Sequence, residues 1–286
     1  MPLKEIAMAC RSFFATIALA GLFAADAAGA QDFLLKYPDI VGQWRRPSGI
    51  GIQWDQSKRV GPAQQAPLTP EYQARYEANL ADQRAGGQGT DPLGKCIPPG
   101  MPRMMSVIFP MEIIIMPNTT YILTDYTDPR RIYTDGRAWP KEIEPTFNGY
   151  SIGKWIDEDG DGRYDVLEIE TRGFKGPRTY EASGIELHDD GETVIKERIS
   201  LDKTNKDTLV DEITTIDNAL TRPWNVTKKY QRERNNVLWH FNHCAENNHH
   251  VWIGKDNYMV SGDGYLMPVK KNQAPPDLRY FQSSQK

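Results

Sequence analysis

From Met104 onward, short runs of β-branched and aromatic residues alternate with turn residues at the spacing of an antiparallel meander. The runs predict strands over Met104 to Phe109, Met111 to Met116, Tyr121 to Tyr126, Arg131 to Thr134, Tyr150 to Ile156 and Val166 to Thr171. Further strands are predicted over Thr193 to Leu201, Thr208 to Ile216, Trp224 to Gln231 and Val237 to Asn242. About ten strands with short links are too many for one flat sheet. The late strands are long and joined by polar turns such as residues 202–207, an up-and-down order that suits full closure and removes exposed edges. The expected fold is mainly β: an antiparallel meander closing into a calyx-like (lipocalin-like) barrel, with a β-sandwich as the alternative.

Upstream the pattern is weaker. An edge strand is predicted around Ile40 to Trp44, followed by a stretch from Arg45 to Thr69 that is rich in Gly, Pro and Gln and reads as an irregular arm. Thr69-Pro70-Glu71 supplies a cap, a proline at the first helical position and an acid in the first turn. Tyr72, Tyr76 and Leu80 then fall on one face of a helix that Gly86-Gly87 ends. The chain divides into a signal segment (1–30), an irregular arm with one short helix (31–95) and a barrel domain (96–286).

The first segment explains why the division starts where it does. Lys4 and Arg11 precede an apolar run from Phe13 to Ala25, and Ala28-Gly29-Ala30 offers the small residues of a cleavage site. The run is too short to span a bilayer, so the chain is expected to be exported, periplasmic or secreted, with no membrane insertion after cleavage. Cys10 leaves with the signal, and in an oxidising compartment the remaining pair, Cys96 and Cys244, is expected to form a disulfide worth ~3–4 kcal/mol. Lys4 and Arg11 balance Glu5 and Asp26, so the mature part keeps the net charge of −4 and offers nothing to attract nucleic acid.

One loop carries a strong chemical pattern. Asp157, Asp159, Asp161 and Asp165 present carboxylates at alternating positions, Gly162 stands at the sharp turn, and Arg163 offers its carbonyl. Glu168 completes the twelfth position of an EF-hand pattern, yet the flanks read as strands, so the loop resembles the calcium loops between strands of integrin-type propeller blades. Clustered carboxylates repel without a cation, and structural Ca2+ is the expected occupant.

Two weaker clusters follow. Residues 239–250 gather four of the five histidines with Glu246, but their spacing fits no established metal signature. Arg130 to Pro140 combines cations, a phenol, a carboxylate and an indole around the Asp135-Gly136 turn, which suits an anionic or aromatic ligand or acid–base chemistry.

Cys96-Ile97-Pro98-Pro99-Gly100-Met101-Pro102-Arg103, the 131–140 stretch, 149–155, Cys244-Ala245-Glu246-Asn247-Asn248 and 275–281 resemble an uncharacterised family of exported Gram-negative bacterial proteins. The resemblance covers roughly Asp91 to Phe281 and implies a periplasmic or secreted protein without implying an activity. It carries a short Gly-Asp turn where this chain has its aspartate-rich loop.

Two functional expectations result. The first is a binding protein whose barrel interior, lined by Trp, Tyr and Met, holds a small amphiphilic or aromatic molecule. The second is a cofactor-free lyase, isomerase or hydrolase, with Tyr133 and Asp135 as acid–base groups, Arg131 for an anionic substrate group, and His243 with Glu246 as a second pair.

Overall fold

In the computed structural model, the described residues are 33–47, 54–59, 64–87, 89–106, 109–125, 127–235, 244 and 249–277. The signal segment and the strand expected over Val237 to Asn242 lie outside them. Nine strands run β1 (Gly42–Arg45), β2 (Met111–Met116), β3 (Thr119–Thr124), β4 (Thr127–Tyr133), β5 (Tyr150–Ile156), β6 (Val166–Arg172), β7 (Val194–Leu201), β8 (Thr208–Ile216) and β9 (Trp224–Arg232). They pair in that order and close into a barrel, with Trp44 of β1 opposite Arg232 of β9. The strand that seals the barrel therefore comes from the N-terminal arm.

Neighbouring strands are antiparallel except β4 and β5, which run parallel with Ile132 opposite Ser151 and Tyr133 opposite Ile152. Parallel neighbours cannot be joined by a tight turn. The chain between them, residues 134–149, therefore makes an excursion outside the strands, and the expected pure meander is broken there.

The segment Met104 to Phe109 corrects another expectation. It begins with a 3-10 turn at Arg103–Ser106 rather than a strand. Met104 and Met105 on this turn and Met101 just before it are all fully buried in the barrel core. Tyr230 on β9 fixes this plug by donating its hydroxyl to the Met105 carbonyl at 2.6 Å.

The expected helix forms as α1 (Pro70–Arg84), with the Thr69 hydroxyl accepting the Tyr72 amide hydrogen. It lies beside the second apolar cluster, where Tyr180, Ile185, Leu187, Leu220, Trp224 and Val226 pack together with Tyr76 against them. Beyond the barrel, β10 (His250–Ile253), β11 (Asp256–Val260) and β12 (Leu266–Pro268) form a separate three-stranded sheet that the sequence pattern did not signal. Cys96 and Cys244 are joined as a disulfide with their Cα atoms 5.5 Å apart. Among the described residues no helix is long and apolar enough to cross a membrane.

Candidate functional site

Side chains alternate across a strand, so one phase of β4 to β9 faces the barrel interior. That phase is apolar at most positions, as with Leu167, Ile195, Ile199, Leu209 and Ile213. It is interrupted by Arg130 on β4, Glu197 on β7, Asp211 on β8 and Lys228 on β9, each at least 97% buried. Charges at such positions stand only where something offsets the loss of water.

For the first two the offset is visible. Arg130 grips Glu197 through both terminal nitrogens, with Nη1 to Oε1 at 2.9 Å. Its remaining donors reach Thr171 Oγ1 at 2.9 Å and Ser151 Oγ at 3.3 Å, and those two hydroxyls bond each other at 2.9 Å. Every polar group of that pair is satisfied, as a buried ion pair requires.

Asp211 is different. It is completely buried, and neither carboxylate oxygen accepts or donates a hydrogen bond. Burial, and then the charge of Glu197, push its carboxyl well above the usual range. Lys228 sits directly across the β8–β9 pair, and burial brings its amine down to about 8. The inward-facing Thr120 and Thr215 hydroxyls and the buried Tyr180 phenol are likewise without a hydrogen-bond partner. Tyr180 feels the Asp211 charge and packs on Trp224 with ring centroids 4.3 Å apart. Asp211, Thr120, Thr215 and Tyr180 thus carry hydrogen-bonding capacity that the protein itself does not use.

The sequence reading did not single out these residues, although a signal was present. Ile195-x-Glu197-x-Ile199, Leu209-x-Asp211-x-Ile213 and Val226-x-Lys228-x-Tyr230 each place a charge in the apolar phase of its own strand.

The residues expected from sequence lie elsewhere. Arg131 and Tyr133 point outward from β4 and line a cleft of about 400 Å3 beside the β4–β5 seam. Asp135 is held instead by Arg137, whose Nε and Nη2 reach its two oxygens at 2.9 and 2.7 Å. That hydrogen-bonded cation keeps the Asp135 carboxyl down to about 2, the opposite of what a general acid near neutral pH needs. His243 and Glu246 lie outside the described residues, while His250 bonds Asn257 at the start of β10.

At the β5–β6 turn, ligand atoms of Asp157, Asp159 and Asp165 come within 4.8 Å of one another. Asp161 is not in that group, and its carboxylate accepts the Arg163 amide hydrogen at 2.8 Å. Gly162 takes a positive φ of 89°, a conformation that favours glycine, and its amide donates to Asp157 at 2.9 Å. Glu168 turns away to Arg198 on the outer face of β7.

No family model matches the chain, and neither a curated protein nor a solved structure matches it.

Proposed function

We propose that this is an exported protein that holds a small polar molecule inside its barrel. The observation that supports the reading is Asp211, a fully buried carboxyl with no hydrogen-bond partner on an inner face that is apolar at most positions. A buried polar group left alone costs roughly 1–3 kcal/mol, and a ligand that completes its bonds recovers that cost. With Thr120, Thr215, Tyr180 and Lys228 on the same inner surface or beside it, the ligand has hydrogen-bond donors and acceptors as well as an apolar portion to meet the Met and Trp side chains. This shifts the expected ligand from a plain amphiphile to a compound with several polar groups. Export rests on the leader-like segment 1–30 and on the disulfide, which belongs in an oxidising compartment such as the periplasm or the medium.

The second reading is acid–base catalysis on the bound molecule. It is favoured by a carboxyl that burial pushes well above its usual range, placed directly across the strand pair from an amine brought down to about 8, so that the two are closer in acidity than a free acid and amine and a proton passes between them more readily. Conversion of the bound compound on prolonged incubation distinguishes enzyme from carrier.

Calcium at Asp157, Asp159 and Asp165, with the Arg163 carbonyl and a reoriented Asp161, would act as a structural pin for the β5–β6 turn. Native mass spectrometry of the mature protein from its own periplasm, before and after EDTA, tests both parts. The expected spectrum shows an organic mass that survives EDTA and a calcium-sized mass that does not. An unadorned protein that also gains nothing from a periplasmic extract or from millimolar calcium counts against both.

A further inference from the structure

The cleft outside the barrel carries an inference independent of the interior. Arg130 and Ile132 point inward, so Arg131 and Tyr133 between and beyond them point out. The opposite wall of the cleft is the end of the β4–β5 excursion, Pro145 to Tyr150, with Lys175 beside it. The cations around this region differ in one respect. Arg137 is paired with Asp135 and lies 3.8 Å from the centroid of the Tyr133 ring, and Arg172 is paired with Glu170 and lies over Trp139. Arg131 and Lys175 have no carboxylate partner among the described residues, although both line the cleft. The Lys175 amine is 5.5 Å from the Phe147 ring.

The walls are fixed before anything binds. Asn148 donates to the Asp128 carbonyl at 2.7 Å, Thr146 donates to the Gly173 carbonyl at 3.1 Å, and Lys175 donates to the Thr146 carbonyl at 2.9 Å. Gly149 has a φ of 70°, and a Cβ there would stand 2.6 Å from the Phe174 ring, so the backbone is pressed against its neighbours. A preformed site loses little freedom on binding. The volume of about 400 Å3 suits a compound of one or two rings.

We propose that this cleft binds a small aromatic carboxylate, with Arg131 and Lys175 on the carboxylate and the rings of Tyr133, Tyr150 and Phe147 against its planar body. The charge count supports a single negative charge, because Asp128 at the rim offsets one of the two cations. A planar guanidinium matches a carboxylate through two parallel hydrogen bonds, and aromatic walls favour a flat ring over an aliphatic one.

Calorimetry at low salt with benzoate, benzamide and cyclohexanecarboxylate tests this on the full mature chain. Benzoate is expected to bind at least tenfold more tightly than benzamide and several-fold more tightly than cyclohexanecarboxylate. Arg131→Gln should weaken benzoate at least tenfold, Lys175→Gln a few-fold, and Asp128→Asn should tighten it a few-fold. All three residues are exposed, so the fold should survive, with circular dichroism as the check. Equal binding of benzoate and benzamide, or an Arg131→Gln variant that binds like the parent, overturns the assignment. An Asp211→Asn variant should leave benzoate binding unchanged. Loss of binding in that variant would move the anion into the barrel and refute the cleft while sparing the interior reading.

Discussion

The same strands, β6 to β9, show two opposite ways of carrying charge. On the outer face Lys196 lies 3.7 Å from Glu170, and Arg198 contacts Glu158, Glu168 and Glu212. These groups are partly wet, and all but Glu158 line a groove of about 750 Å3. On the inner face Glu197, Asp211 and Lys228 occur one per strand and are out of water. A solvated ladder keeps the sheet soluble and contributes little to stability, whereas a buried charge is expensive unless paired. The inner face then separates again: Arg130 and Glu197 satisfy each other, and Asp211 is left over. A charge that the fold neither needs nor satisfies is where function is to be sought.

The comparison is broken most sharply at the buried pair. Arg130→Met strands Glu197 and is expected to destabilise by about 3–5 kcal/mol in urea unfolding, with most of the loss recovered when Glu197→Leu is added. A small single-variant effect would mean that the pair is not isolated from water.

Next in size are the pH effects. Asp211 has its folded carboxyl raised above the unfolded value, so the native state binds more protons. Stability should therefore fall as pH rises above about 4, until the folded carboxyl has titrated, and Asp211→Asn should flatten that slope. Lys228 shows the reverse case, with its folded amine at about 8 and below the unfolded value. Between about 8 and 10.4 the unfolded chain binds more protons, so stability should rise with pH there by up to about 1.4 kcal/mol per unit. Lys228→Met should remove that rise, and an unchanged profile would contradict the burial of the amine.

The outer face should respond least. Arg198→Ala is expected to cost under about 1 kcal/mol despite its three carboxylate contacts, and less in high salt. A loss as large as that of Arg130→Met would erase the distinction between the faces.

Much of this architecture was legible in the alternation of side chains. The strands Met111–Met116, Tyr150–Ile156 and Thr208–Ile216 have the bounds expected, because each is a short run rich in β-branched or aromatic residues between turn residues. Met104 misled because methionine fits helix and strand alike, and its burial follows the 3-10 turn. The parallel β4–β5 seam depends on where the 134–149 excursion returns, a non-local fact that no local pattern encodes. The site residues were harder for a related reason. Arg131 to Asp135 drew attention as a dense cluster, yet the structure ties Asp135 to Arg137 and leaves the buried charges scattered singly over four strands. Only the phase of each charge within its strand distinguishes Asp211 from Glu212, and phase acquires meaning once the inner face is known.

The most direct test of the central claim is the urea midpoint of Asp211→Asn at pH 7 in the absence of ligand. If Asp211 is kept for binding, removing its ionisable group should raise the midpoint, since burial opposes the ionised form that the unfolded chain adopts at pH 7. A lowered midpoint would show that the carboxyl holds the barrel together and would contradict its assignment as the ligand contact.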